Sequence, residues 1–332
     1  MLLKTILALV TSLEVTAHAQ VPVVRIDGSS TVFPITEAMA EDFQTSVRGK
    51  VRVTVGVSGT GGGFKKFCRG ETDVQDASRP IQEKELQACK DKGIKFIEIP
   101  IAFDAAAIAV HPKNTWLNQI TLAELKKIWS PEAQGKIKKW SDVNPAWPNE
   151  KMNLYGPGSD SGTFDYFTEA VVGKAHSSRG DYTASQDHNV TVTGISQDRF
   201  ALGYLPLAYY EENKSKVKVL AVVGGEKSPK KNEGVLPNRE TVESGTYFPL
   251  SRPIFIYINE AALNKDWVSQ FVKFYLKQAP QIVLEVKYVP LPTKLYVLGN
   301  ERLQKKKLGT VFGGHSKIGL KLEDLLSQEG SL

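Results

Sequence analysis

The 332-residue chain has only two cysteines, Cys68 and Cys89, and five histidines. Without a second cysteine pair or a histidine pair, the cysteines fit no common zinc motif. His18, His111, His176, His188 and His315 are scattered, without the spacing that sets two ligands on one metal or a base beside a nucleophile. Long apolar runs are also missing. Ile99 to Val110, the longest candidate, is interrupted by Phe103-Asp104 and falls short of the roughly 20 residues a spanning helix needs. There is no internal repeat, no low-complexity tract and no aromatic-interleaved basic stripe, so no nucleic-acid partner is expected. The glycine-rich stretch Ser58 to Gly63 lacks the Gly-Lys-Ser/Thr ending of a nucleotide phosphate loop, because Lys65 and Lys66 arrive behind Phe64. Ser159-Asp160-Ser161-Gly162 misses the Gly-x-Ser-x-Gly spacing of a nucleophile elbow. These absences point away from an enzyme, with no catalytic residue, no metal and no cofactor expected.

What is present is ordinary globular composition, 41% hydrophobic and 23% charged, in a chain long enough for two domains. The net charge is +6, a mild positive field that would help capture a small anion, although solubility alone also accounts for it. At the N-terminus a weakly basic start with Lys4 precedes the apolar stretch Thr5 to Leu13, and Ala17-His18-Ala19 puts small residues where a signal peptidase reads. Cleavage after Ala19 is expected, making residues 1–19 a signal peptide and the mature protein periplasmic. No cysteine stands at the cleavage point, so no lipid anchor is expected. In an oxidising compartment Cys68 and Cys89 are expected to pair, closing a loop of about 20 residues for roughly 3 kcal/mol.

Strand, small-residue loop and helix alternate along the chain, the mark of an α/β fold with parallel strands. Val23 to Ile26 reads as a strand that stops at Asp27-Gly28-Ser29-Ser30-Thr31, and Ile35, Met39 and Phe43 then recur at helical spacing. Val51, Val53, Val55 and Val57 alternate as a second strand before Ser58, with a helix from Phe64. Val74 to Ala77 leads to Ser78-Arg79-Pro80, Ile94 to Ile99 is a further strand, and Ala105 to Val110 another that opens the second unit. Thr121 and Glu124 form a capping box for a helix to Trp129. Met152 to Tyr155 runs into Gly156 to Thr163, with a helix from Phe164. Strands are expected at Ala201 to Pro206, Val217 to Val223 and Ile254 to Ile258, and a long helix over Ala262 to Gln278. Gly224 to Glu243 reads as a surface excursion.

Four loops carry the chemistry: Ser29-Ser30-Thr31, Ser58-Gly59-Thr60-Gly61, Ser78-Arg79 and Ser159 to Thr163. Each follows a strand and leads to a helix, whose N-terminus offers unpaired N–H groups and partial positive charge. Hydroxyls add donors, and glycine lets an anion approach the backbone. Each loop alone could be an ordinary helix cap; four at the C-terminal ends of parallel strands would make an oxyanion cage. Arg79 is the cation suited to gripping two oxygens. Asp160 is repulsive to an anion unless the ligand carries a proton. Phosphate does at neutral pH and sulfate does not, so an acceptor-only carboxylate there would select phosphate.

The segments DGSSTVFP (Asp27 to Pro34), SGTGGGFKKF (Ser58 to Phe67), ASRPI (Ala77 to Ile81), IWSPEAQGKIKKWSDVNP (Ile128 to Pro145), GPGSDSGTFDYF (Gly156 to Phe167) and YFPLSRPIFIYI (Tyr247 to Ile258) resemble the substrate-binding subunit of high-affinity phosphate ABC transporters. The resemblance covers about Arg25 to Leu276. It implies a two-lobed type II periplasmic binding-protein fold, with two crossing strands as hinge. Residues 20–103 and 250–320 would form one lobe, residues 104–249 an inserted second lobe, and residues 321–332 a tail. Pro253 suits a hinge-strand edge. The resemblance further implies phosphate contacts at Ser30, Thr31, Val32, Ser58, Thr60, Arg79, Ser161, Gly162 and Thr163, with Val32 and Gly162 acting through backbone N–H groups. It implies a monomer that closes on inorganic phosphate and hands it to a transmembrane permease. The chain departs from the enterobacterial-type pattern. Arg79 stands where that pattern has an aspartate, and Pro157 precedes the fourth loop in place of an arginine, which leaves Asp160 as the replacement carboxylate. Rival readings are a receptor for another tetrahedral oxyanion, a phosphate-ester hydrolase, and a phosphate sensor or adhesin without a permease.

Overall fold

The computed structural model describes residues 21–315. The expected signal peptide and the tail at 321–332 lie outside them. The first segment runs β1 (Val23–Gly28), α1 (Phe33–Ser46), β2 (Arg52–Val57), α2 (Gly59–Phe67), β3 (Val74–Ala77), α3 (Glu83–Asp91) and β4 (Phe96–Val110). The middle segment runs β5 (Gln119–Thr121), α4 (Leu122–Trp129), α5 (Trp140–Val143), β6 (Asn153–Pro157), α6 (Gly162–Val172), β7 (Thr183–Ser185), α7 (His188–Gln197), β8 (Ala201–Pro206), α8 (Leu207–Glu212), β9 (Lys218–Val219), β10 (Ala221–Val223), β11 (Gly234–Val235) and α9 (Arg239–Glu243). β12 (Ser251–Asn259), α10 (Asp266–Glu285) and α11 (Thr293–Gln304) complete the chain.

Strand order in the main sheet is β2-β1-β3-β12-β4-β8-β6-β7, with β9 also on β4. β1 pairs in parallel with β2 and β3, and β6 in parallel with β7 and β8. Two strands join these halves. β4 pairs antiparallel with β12 over Phe96 to Ala105, then with β8 over Ala106 to Val110. β12 pairs with β4 along its whole length, with a register shift at Ile254/Phe255, and only Phe255 to Ile258 also reach β3. Pro253, which has no N–H to donate, therefore sits where β12 has β4 on one side and no β3 on the other. The result is a two-lobed mixed α/β fold with two crossing strands.

Separate hydrophobic cores underlie the lobes. In the first, the helical stripe Ile35, Met39 and Phe43 is buried against the sheet and α10, with Phe43 edge-on to Phe271 at 5.3 Å. Each such side chain contributes about 1.5–3 kcal/mol on burial. In the second, Trp129, Phe167 and Tyr204 pack together, the last two rings stacked at 3.8 Å. The Cys68–Cys89 disulfide ties the end of α2 to α3. Among the described residues no helix is long and apolar enough to cross a membrane.

Three expectations are revised. The strands expected at Ile94 to Ile99 and Ala105 to Val110 are one 15-residue strand. Asp104 does not break it, because the carboxylate is buried and takes a 3.1 Å hydrogen bond from Arg252, its cross-strand partner on β12. Helices expected from Phe64 and Phe164 begin earlier, at Gly59 and Gly162, so the glycine loops are themselves first helical turns. Val217 to Val223 is split into β9 and β10, which pair with different strands.

Candidate functional site

The expected loops leave the C-terminal ends of β1, β2, β3 and β6, and all four reach the crevice between the lobes. Ser29, Ser30 and Thr31 are buried there. Ser29 Oγ donates to Ser78 Oγ at 2.9 Å, and Thr60 Oγ1 lies 3.1 Å from the same Ser78 hydroxyl. Thr31 Oγ1 lies 2.9 Å from Thr163 Oγ1, joining the first lobe to the second. Gly61 N–H donates to the Asp160 carbonyl at 3.1 Å, again between lobes. Gly59 makes this approach possible: its φ of +75° suits a residue without Cβ, and a side chain there would run into the Asp160 backbone. Gly162 is equally confined, since a Cβ would fall 2.5 Å from Ser78 Oγ and 2.6 Å from Thr60 Oγ1. Ser161 caps α6, accepting from Thr163 N–H at 3.2 Å.

Other expected residues are placed differently. Val32 N–H donates to Ser29 O at 3.1 Å inside the loop's own turn, and its side chain is in the core. The Ser58 hydroxyl donates to the Asp27 carboxylate, which Lys66 also contacts at 2.6 Å. Arg79 is not at the surface. It makes two hydrogen bonds to Glu85 at 2.7 and 2.8 Å, one to the Pro80 carbonyl at 3.1 Å and one through Nε to Asp165 of the second lobe. Burial opposes its charge, but Glu85 and Asp165 outweigh that and hold the guanidinium firmly protonated. Asp160 is at the rim, its side chain 52% exposed and 3.7 Å from Lys65 Nζ.

Four residues absent from the sequence-based set take part. Arg252 on β12 donates to Gly162 O and Thr163 Oγ1, both at 2.5 Å, and so ties the hinge to the fourth loop. Tyr166 on α6 adds bonds to the carbonyls of Pro249 and Ser251 at 2.8 and 2.7 Å. Asp165 is buried between Arg79 and His176, and burial raises its pKa against their attraction. His188, at the start of α7 after β7, brings Nε2 to 3.2 Å from Ser30 Oγ. Burial first, and Arg252 second, push its pKa down to about 3, so the ring is neutral at physiological pH. Its place after a strand end, behind the Asp187 cap, was the one sequence signal available.

The crevice thus offers hydroxyl donors and helix N-termini from both lobes beside two buried guanidiniums that are themselves paired with carboxylates. In this arrangement hydroxyl and N–H donors could hold a small oxyanion out of water. A Ser30–His188 contact alone does not make a hydrolase pair, because His188 Nδ1 has no hydrogen-bond partner to orient the ring as a base. Among the described residues no cluster of His, Cys, Asp and Glu could hold a metal.

Fold and crevice define a two-lobed solute-binding receptor of the periplasmic type. A family model described as a PBP superfamily domain matches residues 14–279. Protein SphX of Synechococcus elongatus is 50% identical over 314 residues, 95% of this chain and 91% of that protein. The phosphate-binding protein PstS of Staphylococcus saprophyticus is 40% identical over 298 residues, 89% and 86% of the two chains. Among solved structures, a possible phosphate binding protein from Planctomyces limnophilus shares 45% identity with a TM-score of 0.65, covering 86% of this chain and 99% of that one. A putative phosphate ABC transporter substrate-binding protein from Clostridium perfringens, with bound phosphate, shares 26% identity with a TM-score of 0.66, covering 81% and 100%. The chain belongs to the PBP superfamily and, within it, to the family of the PstS phosphate-binding proteins and SphX.

Proposed function

We propose that this chain is a periplasmic receptor that, as a monomer, binds inorganic phosphate between its lobes and delivers it to the permease of an ABC transporter. The observation that carries the reading is the meeting of hydroxyls from opposite lobes, Thr31 Oγ1 and Thr163 Oγ1 at 2.9 Å, beside the buried Arg252. Phosphate would take its donors from Ser30, Thr31, Thr60, Ser161, Gly162 and Thr163; for Val32 and Ser58 to join them, Val32 N–H would have to leave Ser29 O and the Ser58 hydroxyl would have to leave Asp27. Arg79, proposed as a phosphate contact, would have to exchange Asp165 or Glu85 for the anion, because both carboxylates compensate its charge, and Asp160 stands at the mouth. The relatives named for phosphate binding support the choice of anion. Residues 20–103 with 250–320 would form one rigid body and 104–249 the other, rotating about the crossing strands β4 and β12. Closure buries the anion and presents a distinct surface to the permease. Export through the cleaved segment 1–19 would put the receptor outside the cytoplasm.

Titration calorimetry of the mature, ligand-stripped protein tests this. Phosphate binding with sulfate and molybdate ignored is the expected result. Binding of sulfate or molybdate in preference to phosphate would make it a receptor for another oxyanion, and no binding of any of them would end the anion reading.

A further inference from the structure

A phosphate receptor has to reject sulfate, an anion of the same shape that carries no proton at neutral pH. Rejection needs an acceptor that water cannot reach, so that an unprotonated oxygen facing it meets only a lone pair. Asp160 is half exposed and shares its charge with Lys65 at 3.7 Å, so water is free to screen it. Of the buried carboxylates nearby, Asp165 is held by Arg79 and lies against His176, and Asp104 is held by Arg252, although each keeps one buried oxygen without a hydrogen-bond partner. His188 differs in lying directly against the hydroxyls of the first loop. It is fully buried, with Nε2 3.2 Å from Ser30 Oγ and 3.5 Å from Thr31 Oγ1. The Tyr209 ring braces it edge-on at 4.9 Å, and the Tyr209 hydroxyl donates to Ser30 O at 3.3 Å. Arg252 stands close enough to oppose a proton on the ring, so one ring nitrogen keeps its lone pair.

We infer that His188 reads the proton of bound phosphate, its Nε2 lone pair accepting the P–OH hydrogen from beside Ser30 and Thr31. The inference rests on the phosphate reading above. The ring is then the neutral Nδ1–H tautomer, which leaves a buried Nδ1–H without a hydrogen-bond partner, a cost that the Nε2 bond to the anion has to offset. A neutral acceptor does in this chain what a carboxylate would do elsewhere. The hydrogen stays on the anion, so no bond is broken. A sulfate oxygen in the same place would oppose its lone pair to that of Nε2, with no water between them.

The test is titration calorimetry at pH 7.5 with phosphate and with sulfate on wild type, His188→Ala and Asp160→Asn, together with nitrogen NMR of the histidine-labelled wild type. His188→Ala is expected to reduce the phosphate-to-sulfate affinity ratio by about tenfold or more. In wild type, phosphate and not sulfate should shift the Nε2 resonance of a ring protonated at Nδ1, a readout independent of how any variant folds. An unchanged ratio in His188→Ala overturns the inference, as does a ring protonated at Nε2 in the phosphate complex. Loss of discrimination in Asp160→Asn alone would return the role to the carboxylate at the mouth. If wild type binds phosphate, these failures touch only His188; if it binds none, the phosphate reading falls with it.

Discussion

Replacing Asp165 by Asn removes one negative charge from a cluster in which Arg79 and Glu85 lie in the opposite lobe and His176, 3.1 Å from Asp165, lies in its own. Arg79 keeps both bonds to Glu85, at 2.7 and 2.8 Å, and its bond to the Pro80 carbonyl. The first lobe therefore still folds around a compensated guanidinium. What is lost is one charge-assisted hydrogen bond that exists only when the lobes meet. Such a bond contributes about 1.5–3 kcal/mol, so the closed-to-open ratio should fall roughly ten- to 150-fold. Apparent phosphate affinity falls with it wherever the closed state was the minor partner to overcome. Small-angle scattering, with and without phosphate, would report a more open free protein, and calorimetry a weaker affinity at an unchanged thermal midpoint. Affinity within twofold of wild type and an identical scattering profile would refute the idea that this cluster latches the lobes.

Gly162→Ala should block closure, because the new Cβ falls 2.5 Å from Ser78 Oγ and 2.6 Å from Thr60 Oγ1, and calorimetry should show phosphate binding reduced about 100-fold or more while the melting temperature barely moves. Cys68→Ser with Cys89→Ser should cost about 3 kcal/mol in denaturant unfolding, and a loss under 1 kcal/mol would mean the bridge does little to restrict the unfolded chain. His188 should make stability depend on pH. Its folded pKa, about 3, lies below the ordinary 6.5, so the unfolded chain takes up a proton that the folded chain refuses. Stability from this group is complete above about pH 6.5 and falls by up to about 1.4 kcal/mol per unit as the pH drops toward 3. His188→Gln removes that contribution, and equal pH slopes for variant and wild type in urea titrations at pH 7 and 5 would show that the ring is not held neutral.

Sequence alone determined the local elements. The stripe Ile35, Met39 and Phe43, the capping box of Thr121 and Glu124, the cysteine pair and the small-residue loops after the strands all follow from patterns a few residues long, and the structure contains each of them. α11 was not legible, because its inward residues Leu295, Tyr296, Gly299 and Arg302 make a weak apolar face. The site's membership was legible only in part. Hydroxyl loops announce themselves by composition, but Arg252, Asp165 and His188 sit in sequence contexts that suit many ordinary positions. Only tertiary structure decided their place, since Ser30 meets His188 across 158 residues and Arg79 meets Asp165 across 86. The same long-range pairing joined two expected strands into β4, where Arg252 compensates the charge at Asp104 that locally reads as a break. Short-range periodicity sets which residues turn inward; which charges and hydroxyls then face one another depends on how the two lobes close.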